Sequence, residues 1–259
     1  MGKVTLTKEN KIAVLTINRP KVKNALDMEA YEEFESGIKE VVSDSEVRVV
    51  VITGSGDSFC AGLDLKFAGV LKNMRPMELV GLIKRLQKMF HFEKIGKPII
   101  SAVKGYTLGN GCDIALASDF VIAAKDTKMG MVYTNLGLIP DLGGTFRLPR
   151  LVGMAKAKEL ILTGKEIDAE YALKIGMVNK VVPTEKLMDE TMALANKLAK
   201  RAPIALSLAK AAIVNGLDTD LSSTHDFEAY MQSICIQSDD VTEAVTAFME
   251  KRKPDFKGK

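Results

Sequence analysis

The chain has 259 residues, 47% hydrophobic and 27% charged, enough for one large globular core and against extensive disorder. Its net charge of +3 (36 Lys and Arg against 33 Asp and Glu) is too small for a dedicated polyanion-binding surface, although a few local lysines suffice for a small anionic ligand. Two histidines and three widely spaced cysteines (Cys60, Cys112, Cys235) form no zinc motif and no disulfide framework; HExxH, GxSxG and membrane-length apolar runs are likewise missing. A cytoplasmic protein without a metal is the expectation.

In chain order, residues 4–7 and 12–17 read as a β-hairpin across Lys8–Lys11. Asp27 is placed to cap a helix whose apolar face is Tyr31, Phe34, Ile38 and Val41. Val47–Thr53 is a nearly continuous apolar strand, a pattern that predicts cover on both faces. Leu79, Leu82, Ile83, Leu86, Met89 and Phe90 form a helical stripe. A buried strand at 98–103, a glycine-bearing loop at 105–111, a small-residue helix at 112–117 and a strand at 120–124 follow. Gly143-Gly144 opens a short helix, and Asp168 caps another that ends at Gly176 before a strand at 178–182. Beyond Thr184 the pattern is helical only, at 185–200, 203–215, 222–235 and 240–251. The fold class is therefore α/β, with an all-helical tail that must pack on the core or on another subunit.

Three loops carry the chemical signal: Phe59–Leu65, Gly105–Asp113 and Leu136–Thr145. Small residues before a helix leave free N–H groups, backed by the helix dipole, that stabilise negative charge. Two such loops converging could give two donors to one oxyanion, each typically worth about 3–4 kcal/mol in a transition state. With no histidine in these loops, the carboxylates Asp64, Asp113 and Asp141 are the available proton carriers. Each also has a plain structural reading: Asp141 as a turn residue after Pro140, Asp113 as a first-turn residue favoured by the dipole. Cys60 and Cys112 read as packing residues, His91 as structural or surface.

Asn18-Arg19-Pro20 with Lys23–Leu26, the AGLDL loop, GYTLGNGCD, GLIPDLGGTFRLPRLVG and the ending Phe248–Pro254 occur in one order along the chain. In these segments, and over essentially its whole length, the sequence is similar to the crotonase superfamily, also called the enoyl-CoA hydratase/isomerase family. The resemblance implies a spiral of ββα units over residues 1–200 and a helical assembly region over 201–259. It implies a homo-oligomer, a trimer or a dimer of trimers. It implies an acyl-CoA thioester as substrate and no further cofactor. The oxyanion donors fall on the N–H groups of Leu63 and Asn110. CoA contacts fall on Lys23, Ala25, Ala61, Asp64, Leu65, Lys66, Phe256 and Lys257. The two glutamates of a family hydratase fall on Asp113 and on Tyr133, which is no carboxylate. The Asp141 position carries the acid/base aspartate of some family isomerases. The expectation is thus an enoyl-CoA isomerase with Asp141 shuttling the proton, assisted by Asp113 and Tyr133. The alternative is an enoyl-CoA hydratase, with a cyclic or dienoyl substrate among the candidates, using Asp113 and Asp141. Dehalogenation through an acyl-enzyme on Asp141 and non-catalytic RNA binding rank lower; no tryptophan lines a pocket, and +3 offers no basic stripe.

Overall fold

The computed structural model describes residues 2–259. Strands β1 (Val4–Glu9) and β2 (Ile12–Ile17) form the expected hairpin, turning at Asn10 and Lys11, both with positive φ. Helix α1 (Met28–Ser43) starts at Asp27, whose carboxylate accepts the Ala30 N–H at 2.9 Å. Then come β3 (Val49–Gly54), α2 (Leu65–Leu71), α3 (Pro76–Met89), β4 (Ile99–Val103), β5 (Tyr106–Leu108), α4 (Asn110–Ala117), β6 (Phe120–Ala124) and β7 (Lys128–Gly130). A 3₁₀ turn at Val132–Leu136 leads to α5 (Gly144–Val152), α6 (Met154–Thr163), β8 (Ile167–Asp168), α7 (Ala169–Lys174) and β9 (Lys180–Val182). Four helices close the chain: α8 (Leu187–Ala199), α9 (Pro203–Gly216), α10 (Leu221–Gln237) and α11 (Asp239–Met249).

The large sheet runs β1-β2-β3-β4-β6-β9 and is parallel except for the β1–β2 hairpin. A small sheet, β5-β7-β8, stands beside it. Two successive units, β4-β5-α4 and β6-β7 with its 3₁₀ turn, each give a long strand to one sheet and a short strand to the other before a helix or turn. Every residue of β3 and β4 is buried, as their unbroken apolar runs require. Val50, Ile52, Ile99 and Val103 face the core under α1, α3 and α4. Val49, Val51, Ile100 and Ala102 face the opposite side, which α8 covers with Leu187, Ala195 and Ala199.

Not all elements are held equally. Helix α2 buries no residue, and α3 buries only Leu86 and Met89. Helices α9 and α10 bury none, and they expose Ile213, Leu221, Tyr230 and Ile236. A Lys210–Asp119 ion pair at 2.7 Å ties α9 to the sheet domain. Among the described residues no helix is long and apolar enough to cross a membrane.

Candidate active site

The cleft lies at the C-terminal ends of the parallel strands, where α/β folds place their sites. It has a volume of about 1400 Å³. Its floor is set by two crossing loops. The first leaves β3 and runs through Phe59–Asp64. It is pinned on one side by a bridge between Cys60 and Thr107 in β5, and on the other by a bridge between Leu63 and Leu26. The buried Asn24 side chain donates to Ser55 O at 2.9 Å and Ser58 O at 2.7 Å, so the NRP–KNAL segment clamps this loop from below. Arg19 extends the clamp with ion pairs to Asp27 (2.8 Å) and Asp64 (3.0 Å).

The second loop leaves β5 and turns at Gly109 into α4. The loops meet at two glycines, Gly62 with φ +101° and Gly109 with φ +50°, conformations that an L side chain rarely adopts. A Cβ at Gly62 would lie 2.9 Å from Leu108 O and 3.4 Å from Asn110 N. The next N–H on each loop belongs to Leu63 and to Asn110, the first residue of α4. Among the described residues neither has an acceptor within the protein. Two free N–H groups at one crossing, one backed by a helix dipole, form a binding place for an oxyanion. Gly62→Ala would force the crossing apart, and kcat is expected to fall about 10²-fold, within the range for losing an oxyanion donor. Unchanged turnover in the folded variant would remove these N–H groups from the reaction.

The acids lie around this point but are not equivalent. Asp113, on α4, is fully buried. Its Oδ2 accepts the Tyr133 hydroxyl in a short hydrogen bond, and its Oδ1 has no partner. Burial pushes its carboxyl up to about 7; the Tyr133 bond opposes this and the Asp141 charge adds to it. Burial, with the Asp113 charge, keeps Tyr133 protonated far above its ordinary range. Asp141 lies on the third loop and opens directly onto the cleft, as Tyr133 does. Burial raises its carboxyl too, but its own backbone N–H and the Asn110 amide hold the rise back. Asp113 does not line the cleft and communicates with it through Tyr133.

Two residues that the motifs did not single out hold the Asp141 loop. Gln87 on α3 donates to Asp141 O at 2.8 Å. Buried Arg147 donates to Leu142 O at 2.7 Å and Phe90 O at 2.8 Å and pairs with Glu93. Burying a guanidinium requires such partners, so an arginine following the Gly-Gly turn was a usable signal.

Lys23, Ala25, Ala61, Asp64, Leu65 and Lys66 all line the cleft, with Lys72 near them. The Asp64 side chain is already engaged by Arg19 and by Lys66 N–H, which it caps at 2.9 Å. Lys23 pairs with the exposed Asp57 at 2.5 Å. Phe256 and Lys257 are elsewhere. Arg48, just before β3, donates to Phe256 O at 2.6 Å, and buried Asp240 accepts the Lys257 N–H at 2.7 Å. The tail is thus fastened at the N-terminal ends of the parallel strands, opposite the cleft, and the protomer does not bring these two residues to its own site. Among the described residues no three His, Cys, Asp or Glu side chains converge as a metal set.

The family model described as enoyl-CoA hydratase/isomerase matches residues 7–259. The chain is 43% identical over 257 residues to a short-chain-enoyl-CoA hydratase of Clostridium acetobutylicum, spanning 98% of this chain and 97% of that protein. It is 38% identical to a 1,2-epoxyphenylacetyl-CoA isomerase of Escherichia coli, over 97% of each. A crystal structure of an enoyl-CoA hydratase from Bacillus anthracis superposes with a TM-score of 0.92 at 36% identity, covering 99% of this chain and all of that one.

Proposed function

The chain belongs to the enoyl-CoA hydratase/isomerase family, an enzyme family of the crotonase superfamily, and from that premise we propose that it adds water across the double bond of a 2-enoyl-CoA thioester. The observation that carries this reading is the separation of its two acids. Asp113 is buried behind Tyr133 with a carboxyl pushed up to about 7, while Asp141 faces the cleft. A carboxyl held protonated up to neutral pH can supply a proton, and a carboxylate that meets the cleft can take one from water. The hydratase names of the Clostridium and Bacillus relatives support the same choice over the isomerase expected from Tyr133 and Asp141 alone.

In this mechanism the thioester oxygen lies between the Leu63 and Asn110 N–H groups. Asp141 takes a proton from water as the water oxygen bonds to Cβ. The π electrons pass to the thioester oxygen as an enolate. With Asp113 protonated, its carboxyl donates to the Tyr133 oxygen and frees the Tyr133 hydrogen for the cleft; Tyr133 delivers that proton to Cα and takes one from Asp113. Asp141 releases its proton to solvent and the Tyr133–Asp113 pair is reloaded. No cofactor is used. Lys23, Lys66 and Lys72 at the rim are placed for the CoA phosphates, and binding that large group fixes the short reactive end.

The test is the reaction of enoyl-CoA thioesters in ¹⁸O water. Product heavier by one labelled water supports hydration; an unchanged mass with the double bond moved returns the enzyme to isomerisation. That second reading keeps one observation of its own: Asp141 lines the cleft and Asp113 does not. The pH profile gives a further check. Hydration needs Asp113 protonated, so kcat/KM is expected to fall as pH rises through about 7, the value of its carboxyl. Asp113→Asn should lower kcat and remove that limb. A limb that persists in the variant belongs to another group.

The exposed apolar faces of α9 and α10, with Phe248 at 81% exposure on α11, fit the homo-oligomer that the resemblance implies. In such an assembly Phe256 and Lys257 would serve the cleft of a second copy. Light scattering at micromolar concentration tests it; a monomer ends that reading.

A further inference from the structure

Tyr31 stands on the inward face of α1, where helical periodicity alone reads as packing. Its ring is only 1% exposed, and it forms part of the cleft lining. Its hydroxyl has no hydrogen-bond partner among the described residues. The ring is firmly placed. It meets Phe90 edge-on with centroids 6.4 Å apart and planes at 73°. The Phe90 carbonyl accepts from Arg147 at 2.8 Å, and the same guanidinium holds the Leu142 carbonyl next to Asp141. Tyr31 and the Asp141 loop are therefore positioned by one shared set of contacts. Burial, then the Cys60 thiol and the Asp141 and Asp113 carboxyls, opposes ionisation of the phenol, so the group is a lasting donor.

The Tyr31 hydroxyl is not among the fully enclosed side-chain atoms without a partner, so its tip reaches the cleft. The missing partner must come from whatever occupies the cleft beside it, and a polar, open site admits water. The hydration chemistry needs such a water, held by more than one group. Tyr133 cannot share that task as a second carboxylate would, because it is no base and its one proton goes to Cα with Asp113 behind it.

We propose that Tyr31 holds the nucleophilic water, donating its hydroxyl hydrogen to the water oxygen while the water donates one of its own to Asp141. One lone pair of the water oxygen accepts from Tyr31 and the other forms the C–O bond at Cβ. One O–H bond breaks toward Asp141 and the second remains as the product hydroxyl. Tyr31 keeps its proton throughout. The assignment rests on the hydration reading above.

Tyr31→Phe keeps the ring and its contact with Phe90 and removes only the hydroxyl. Two reactions are compared. Hydration of a 2-enoyl-CoA is expected to lose about 10–100-fold in kcat with KM within twofold. Exchange of the α-hydrogens of a saturated acyl-CoA with deuterium from solvent uses the enolate and its acids but no attacking water. It is expected to stay within twofold of the wild type. A hydration kcat within twofold of the wild type overturns the assignment. So does a parallel loss of hydration and exchange, which marks a disturbed site rather than a lost water ligand. A wild-type enzyme that hydrates no enoyl-CoA overturns the hydration reading and this assignment together.

Discussion

Asp141→Asn is expected to lower kcat by about 10²–10⁴-fold, the usual worth of a positioned general base, while CoA thioester affinity stays within about twofold. The expectation follows from where the residue is placed. Asp141 is the one carboxylate of the acidic pair that opens onto the cleft, and its loop is held from two sides, by Gln87 at its carbonyl and by Arg147 at the next one. The substitution is nearly isosteric, so these backbone contacts survive. The rim proposed to face CoA, with Lys23, Lys66 and Lys72, is built from other segments. The loss should therefore appear in kcat and not in binding, as for an interaction made only in the transition state. Stopped-flow turnover and calorimetric binding of a non-reactive thioester separate the two. Near-normal turnover would move the base elsewhere.

Arg147→Met is expected to cost about 3 kcal/mol of stability, the scale for removing one partner of a buried ion pair, and to lower kcat about tenfold in the molecules that remain folded. The guanidinium fills a space enclosed by Leu142 O, Phe90 O and the Glu93 carboxylate. Methionine replaces its bulk but none of its donors. Two carbonyls lose their partners and Glu93, held below its ordinary pKa chiefly against burial by this arginine, loses its counterion. Since one of those carbonyls adjoins Asp141, the base should lose its aim as well. A urea titration reads the first effect as a lower midpoint at constant slope. An unchanged midpoint would show that the pair contributes nothing net; lost stability with intact kcat would confine Arg147 to the fold.

Much of this was legible in the residues. Nearly continuous apolar runs at 49–54 and 99–103, broken only by Thr53 and Ser101 among side chains, announced strands covered on both faces, because such strands lack polar alternation. Gly62 and Gly109 marked the loop crossing because no other residue takes those backbone angles at low cost. The small sheet was not legible. Its strands have two or three residues each, and their pairing is decided by distant partners. Helix α2 was missed because it buries nothing and so shows no stripe. Tyr31 was read as core, since periodicity gives the direction of a side chain but not whether its tip meets a neighbour or an opening. A linear motif does not tell to which end of a sheet the chain returns, so it could not show that Phe256 and Lys257 lie away from the protomer's own cleft. The proposed reading of hydration over a double-bond shift leans on the burial of Asp113, which no spacing records.

The loosely held α2 and α3 have a consequence for how such an enzyme changes its diet. They line one side of the cleft, through residues such as Phe67, Leu71, Leu79, Leu82 and Ile83, yet only Leu86 and Met89 are buried. In the proposed reaction the chemistry rests on the doubly covered strands and the crossing they support, while the acyl chain would meet the most loosely packed part of the molecule. Substitutions on that wall can alter which chain fits at little expense in folding. One rigid oxyanion crossing can in this way serve a succession of acyl groups.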